Sequence, residues 1–374
     1  MERIEIEPRK DSAKKLESIG LSYHAWDNFW NESACYKFTS KEVDELEEAT
    51  ECLHEMCLTA VEHIIANNRF AEMGIPEEYW QAIANSYNRD ELTLYGRFDL
   101  AYDGNSVPKM LEYNADTPTS LLESAVAQWY WMEEVFPDDD QFNSVHERLV
   151  DQWKKLPALT RKIHFASLSE NEEDWVCVHY LMETAIQAGF QVEHIYVEDI
   201  GWDNVNNEFV DLNNERIEVM FKLYPWEWMM REDFGKNVLK CNTKFVEPMW
   251  KCLLSNKAIL PILWELFPGH PYLLPAYFTP DGLTAYAKKP IFSREGANIE
   301  LVENGLIVAQ DEGPYGAEGY VYQALHTLPD FGDKFAVIGS WIVGDKSAGI
   351  CLREDTIKIT TNMSRFVPHY FVEA

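Results

Sequence analysis

The chain has 374 residues, of which 46% are hydrophobic, 13% aromatic and 25% charged. That composition excludes a disordered, collagen-like or small disulfide-stapled protein and is enough for a large core. Acidic residues outnumber basic ones 63 to 32, and the net charge of −31 argues against nucleic acid as a partner, because phosphate binding needs a basic face.

The first residues, Met1-Glu2-Arg3-Ile4-Glu5-Ile6-Glu7, alternate charged and apolar side chains and lack the apolar centre of a signal peptide. No apolar run approaches the ~20 residues of a membrane span. Seven scattered cysteines form no Cys-x-x-Cys pair, which predicts free thiols in a reducing cytoplasm.

Thr39-Ser40-Lys41-Glu42 reads as a capping box. Val43, Leu46, Leu53, Met56, Ala60, Val61 and Ile64 follow at helical spacing, so a helix is predicted from Ser40 to Asn67. A shorter helix follows Pro76. A strand runs from Thr93 to Tyr102, turns at Asp103-Gly104-Asn105, and returns from Lys109 to Asn114. Residues 120–136 read as a helix. Ile163–Ser167, Glu172–Ala188 and Val192–Val197 alternate strand, helix, strand, and a hairpin leads on to Phe221, which together predict a small α/β unit. Helices are expected at Pro225–Phe234 and Asn256–Phe267. From Ala285 to Thr361 the chain reads as mostly β, with turns at Asn304-Gly305 and Gly344-Asp345. The glycine-rich stretch Asp311–Gly319 has the composition of a mobile loop.

Two glycine motifs fail as nucleotide signatures. In Gly339–Ser347 the lysine does not directly follow the second glycine, and the segment reads as a hairpin. Gly313, Gly316 and Gly319 lack the dinucleotide spacing.

The hairpin carries more chemistry. Arg97 and Asp99 are two apart on one strand, and Glu112 and Asn114 are two apart on the other. If the strands pair, these four converge on one side, with Phe98, Leu100, Leu111 and Tyr113 on the other. Asp, Glu and Asn together offer hard oxygen ligands for Mg²⁺, and an arginine among them suits a phosphoryl oxygen. The same pattern equally fits a solvated face with a surface ion pair. Thr117 and Pro118 resemble a helix N-terminus, where unpaired amides can meet an anion, although capping alone explains them. Lys257, Lys289 and Arg353 each stand at the end of an apolar helix or strand. In so acidic a chain, their co-occurrence with Arg97 favours a nucleotide site.

These residues sit in segments that resemble the synthetase half of the glutathionylspermidine synthase family. The chain is most like its short stand-alone bacterial members. The segments are Tyr95-Gly96-Arg97-Phe98-Asp99, Leu111–Ser120, Lys222–Glu227, Leu254–Pro261, Lys289–Asn298, Gly339-Ser340-Trp341 and Leu352-Arg353-Glu354-Asp355. Their order is kept over nearly the whole chain.

The resemblance implies an α+β fold of the ATP-grasp type, with two α/β subdomains clasping the nucleotide. It implies one catalytic unit over 1–374. Its approximate subdomains are 1–160 with the metal-site hairpin, 161–245 for substrate, and 246–374 for the nucleotide. The implied enzyme is an ATP- and Mg²⁺-dependent ligase that joins a carboxylate, glutathione or another peptide-like acid, to an amine such as a polyamine through an acyl phosphate. A true glutathionylspermidine synthetase and a non-catalytic ATP- or polyamine-binding protein are the alternatives.

Carried over residue by residue, the resemblance makes Asp99, Glu112 and Asn114 the metal ligands. Arg97 stabilises the transferring phosphoryl group and Arg353 faces the acyl phosphate. Lys257 and Lys289 grip the nucleotide phosphates under the turn at Glu295-Gly296, and Gln323-Ala324-Leu325 line the adenine pocket. Thr117, Glu172 and Glu173 meet the substrates. The family's full-length members carry an amidase domain ahead of the synthetase. This chain starts almost at the synthetase, so no hydrolase activity is expected. Leu223 replaces a threonine that in the family contacts glutathione.

Overall fold

The structure is a computed structural model that describes residues 1–26, 29–157, 161–361 and 364–373. At its centre is a five-stranded antiparallel sheet in the order Arg365–Val367, Lys346–Asp355, Phe335–Val343, Tyr95–Ala101, Lys109–Asn114. The predicted hairpin therefore forms its edge. Side chains alternate across each strand, so the sheet has two unlike faces. One face, with Phe98, Leu100, Tyr113, Ile338 and Leu352, packs under the long helix Ser40–Ala66 through Leu46, Leu53 and Met56. That helix starts at Thr39 with both halves of the expected capping box. The other face carries Tyr95, Trp341 and Cys351, which join a second core with the helices Gln128–Val135, Val145–Trp153 and Glu172–Gln187.

Two further sheets flank the centre. A parallel sheet runs Lys244–Val246, Val219–Lys222, Lys162–Ser167, Gln191–Tyr196, with helix Glu172–Gln187 crossing between its last two strands. This is the α/β unit read from the sequence. The second, antiparallel sheet runs Ala276–Tyr277, Tyr320–Ala324, Ala285–Pro290, Glu300–Glu303, Leu306–Gln310. A three-stranded sheet joins Glu2–Glu5 and His369–Val372 to either side of Ala34–Thr39. Here Arg3 makes two hydrogen bonds to the buried Glu354, at 2.7 and 2.9 Å, and Tyr36 Oη donates to the same carboxylate at 2.9 Å. All seven cysteines are free, and among the described residues no helix is long and apolar enough to cross a membrane.

Some expectations change. Leu111 is a β-bulge, because Asp99 pairs with Glu112 while Leu100 pairs with Met110. Met110 takes its place in the apolar layer, and Leu111 lines the cleft described below. The helix after Pro225 is only Trp226–Met229. At Gly235 the chain folds back on the Met229 carbonyl, so closely that a β-carbon would come within 1.8 Å of it, which a helix running to Phe234 could not do. The next helix starts at Ile259, three residues late, because Asn256 is held outside it by a 2.6 Å bond to the Met73 carbonyl. The helix of residues 120–136 contains a π-turn at Glu123–Ala127. Helix Val145–Trp153 and the strands near both chain ends were not expected.

Gly339 pairs with Asp99 and with Cys351 in the central sheet. A β-carbon there would lie 2.6 Å from Cys351 Sγ and 2.8 Å from Arg97 Cδ. The absent side chain lets Arg97 lie flat across the strand. Gly339→Ala should therefore cost about 1–3 kcal/mol in denaturant unfolding, as overpacking does, and should displace Arg97.

Candidate active site

A cleft of about 260 Å³ lies where the central sheet, the second antiparallel sheet and the parallel sheet meet. Its floor is the polar face of the hairpin. Arg97 is paired with Asn114 and Asp99 with Glu112 across the two strands, so all four side chains emerge together. Arg97 Nε donates to Asp99 Oδ1 at 2.9 Å, and Arg97 Nη1 donates to the Thr119 carbonyl at 3.0 Å. Lys257 Nζ lies 3.0 Å from Glu112 Oε2. Asn114 Oδ1 is buried and has no hydrogen-bond partner. A buried acceptor without a partner costs free energy, which a cation bound there would recover.

The electrostatics of this floor are finely opposed. Burial pushes the Asp99 carboxyl up, and Glu112 adds to this while Arg97 pulls the other way. Burial also penalises Glu112, but Lys257 and Lys289 outweigh it and hold that group below the usual carboxylate range. Arg353 enters from the next strand pair on the same face. Burial, then the neighbouring Arg97, lowers its pKa. Its guanidinium is held by the Thr361 carbonyl at 2.6 Å and the Ser364 carbonyl at 3.3 Å.

The second antiparallel sheet supplies the roof. Lys289 ends one strand and is almost fully buried. It donates to Gln323 Oε1 at 2.8 Å and to the Leu111 carbonyl at 2.9 Å. Burial lowers its pKa to about 8. Gln323, Ala324 and Leu325 line the cleft beside Ala287, Leu301 and Ile359, a flat apolar wall. Glu295 and Gly296 form a turn with positive φ, and Gly296 presses so closely on the Thr360 carbonyl that a β-carbon would come within 2.5 Å. Residues 311–319 form an irregular link between strands, with the Tyr315 amide bonded to Asn298 at 2.7 Å.

The third wall is the carboxyl end of the parallel sheet, the usual ligand position in such sheets. Lys222 ends one strand, fully buried, with Nζ 2.9 Å from Asp116 Oδ1 and 4.2 Å from the Trp226 ring centre. Asp116 Oδ2 accepts the Trp226 amide at 2.8 Å. This tie fixes Thr117, whose hydroxyl accepts from Arg294 at 2.6 Å. Arg294 also pairs with Glu227 at 2.8 Å. Leu223 lies on this wall with Leu168, Pro225 and Trp228.

The cleft thus gathers Arg97, Asp99, Glu112, Asn114, Thr117, Lys257, Lys289, Glu295, Gly296, Gln323, Ala324, Leu325 and Arg353. Glu172 and Glu173 do not line it. Glu172 is exposed and accepts from the Ser22 hydroxyl, while Glu173 is half-buried and close enough to Arg353 to bias its charge. Asp174, the next residue, does line the cleft. Asp116, Lys222, Glu227 and Arg294 were not singled out as site residues. They are single charges in separate segments, and only the fold makes them pairs. A separate group, His164, Glu193 and Asp211, could hold a metal but lies outside the cleft and already contains the Lys162 ammonium.

The family model for glutathionylspermidine synthase preATP-grasp proteins matches residues 3–372. The chain belongs to the glutathionylspermidine synthase preATP-grasp family. As such it is a ligase. A Haemophilus influenzae protein named "Putative acid--amine ligase" is 43% identical over 97% of this chain and 98% of its own length. The bifunctional glutathionylspermidine synthetase/amidase of Escherichia coli is 29% identical over 89% of this chain, which spans 58% of that longer protein. Among solved structures, a glutathione synthetase-like effector from Globodera pallida superimposes with a TM-score of 0.59 at 11% identity, covering 97% of this chain and 96% of that one. At that identity the likeness is one of fold, and it supports the expected α+β, ATP-grasp class.

Asp116 is wholly buried and its two oxygens hold both Lys222 and the Trp226 amide. Asp116→Ala leaves a buried ammonium unpaired, so a loss of about 3–5 kcal/mol is expected in urea unfolding. Replacing Lys222 and Asp116 together with apolar residues should recover most of it.

Proposed function

We propose that this protein is an ATP- and Mg²⁺-dependent ligase that joins a carboxylate to an amine through an acyl phosphate. One observation carries the reading. Three oxygen-bearing side chains, Asp99, Glu112 and Asn114, the last with a buried and unpartnered amide oxygen, share a sheet face with Arg97 and Arg353 and line one cleft with Lys257 and Lys289. Phosphoryl transfer is mostly positioning and charge neutralisation, and this set of groups supplies both without a nucleophilic side chain.

The donors fit a hard divalent cation, and Asp99, Glu112 and Asn114 would hold Mg²⁺. Mg²⁺ would supply Lewis-acid stabilisation of phosphoryl oxygens. Lys289 reaches the phosphates from the roof and Lys257 from beside the floor, and both are already aimed inwards by the bonds they make to Gln323 and Glu112. The apolar wall at Ala287, Leu301 and Ile359, with Gln323-Ala324-Leu325, suits a flat base. Thr117 orients the acid, and Arg97 and Arg353 offset charge on the transferring group. The amine then displaces phosphate to give the amide, with ADP as the other product. The acid is peptide-like. Glutathione itself is the narrower reading, and Leu223 on the third wall is where its pocket would differ.

ADP release with Mg²⁺ across a grid of acids and amines tests this. Glutathione and short γ-glutamyl and α-peptides serve as acids, and spermidine, putrescine and amino acids as amines. A signal that depends on the pair and is lost in Asp99→Ala or Glu112→Ala, with the fold intact by circular dichroism, is the expected result. Activity in those variants would refute the metal assignment. ATP binding without turnover under any pair would favour a non-catalytic binding protein.

The depressed Lys289 pKa gives a pH signature. Lys289 is charged below about pH 8 in the ligand-free protein and loses its proton as pH rises through that value. Nucleotide affinity should therefore be full near pH 7 and fall as pH rises through about 8. Lys289→Met should bind ATP at least ~10-fold more weakly at pH 7, in line with a charged hydrogen bond, and should show no such fall.

A further inference from the structure

Amide formation raises a proton problem that none of the groups above solves. An alkylamine has a pKa near ~10.4, so at neutral pH roughly one molecule in 10³ has the free electron pair that attack needs. The cleft must remove a proton from an ammonium group. Three of the six carboxylates that line it are occupied: Asp99 by Arg97, Glu112 by Lys257 and Glu227 by Arg294. Asp174 is not. It lines the cleft, half-buried, and no hydrogen bond or ion pair reaches its carboxylate among the described residues. Glu295 and Glu303 are also unpaired among the described residues, but Glu295 is exposed, and Glu303 ends the strand Glu300–Glu303 that carries Leu301 of the apolar wall assigned to the base.

The backbone of Asp174 is nevertheless fixed. It lies in the first turn of helix Glu172–Gln187, and its amide donates to the capping Asn171 Oδ1 at 3.0 Å. A rigid backbone with an unpaired side chain suits a group that must meet a substrate. Its surroundings set its basicity. Burial and the adjacent Glu173 push its pKa up, Arg294 opposes them, and Glu295 adds to the rise, leaving it at about 7. A base with that value is effective at neutral pH. Arg294, whose charge acts on Asp174, also donates to Thr117, the group assigned to the acid, and both Asp174 and Thr117 line the cleft.

We propose that Asp174 is the general base that takes a proton from the incoming amine, an inference that rests on the ligase reading above. The ionised carboxylate accepts one proton from R–NH₃⁺ and becomes the neutral acid. The freed nitrogen pair forms the N–C bond to the acyl carbon. The C–O bond to phosphate breaks, its electron pair leaving with the phosphate, and the second nitrogen proton goes to that phosphate as the amide forms.

The test compares two nucleophiles in wild type and Asp174→Asn, using the acids that support ADP release. Putrescine is protonated at neutral pH and needs a base. Hydroxylamine is largely unprotonated and does not. Asp174→Asn should lose about 10²-fold or more in kcat with putrescine while forming hydroxamate as fast as wild type. Wild-type kcat/KM for putrescine should rise with pH through about 7, and the variant should lack this rise. Equal rates with putrescine would overturn the proposal and leave the ligase standing. A higher KM for putrescine with the pH profile retained would make Asp174 an ammonium-binding group, and would also overturn it. No hydroxamate from wild type with any acid would remove the ligase reading and this inference together.

Discussion

Asp99 faces Glu112, and Arg97 faces Asn114, because one hairpin pairs in one register. Side chains alternate with a period of two, so a slip of a single residue would turn all four polar groups into the apolar layer beneath the long helix. The register is held from both sides. Phe98 stacks on Tyr113 with ring centres 3.8 Å apart, and the next strand closes on Arg97 through Gly339 and Trp341. The bulge at Leu111 then shifts the phase of the hairpin, so the polar set ends there and a hydrocarbon wall begins. The position of every other charged group in the cleft is meaningful only relative to this floor.

The floor and walls are nearly self-neutral. Arg97 with Asp99, Lys257 with Glu112, Arg294 with Glu227 and Lys222 with Asp116 each bring opposite charges within 3.0 Å. Buried pairs of this kind add little net stability, but breaking one is expensive. They keep long basic side chains extended along the cleft. A polyphosphate and a divalent cation arriving together would exchange partners with the pairs at the floor and leave the charge balance almost unchanged. The Lys222–Asp116 pair differs: it is fully buried, and its task is to fix the chain at Thr117.

What could be read from the sequence was local. The long helix, its capping box, the hairpin and the strand–helix–strand unit follow from periodicity and turn residues within short windows. The hairpin's four polar groups were legible because period two places them together wherever the strands pair. The missing features depended on distant segments. The strands Glu2–Glu5 and His369–Val372 flank Ala34–Thr39 and have little pattern of their own. The helix predicted through Phe234 stops early because Gly235 folds back on Met229, which no periodicity encodes. Glu172 and Glu173 drew attention and Asp174 did not, because which carboxylate turns inwards depends on helix phase at the cap. Arg294 became visible only when the fold brought Glu227 and Thr117 to it.

Glu354 is the residue after Arg353, and alternation sends it to the opposite face of the sheet. There it is clamped by Arg3 and Tyr36, from two strands of the terminal sheet. Among the described residues, Arg353 itself is hydrogen-bonded by backbone carbonyls from the loop that follows its strand. The reach of this arginine into the cleft is thus set partly by an anchor on the far side of its own strand, made by the third residue of the chain. The first strand acts as a strut for the cleft-facing side of the sheet, and loosening it would change the aim of a guanidinium that it does not touch among the described residues.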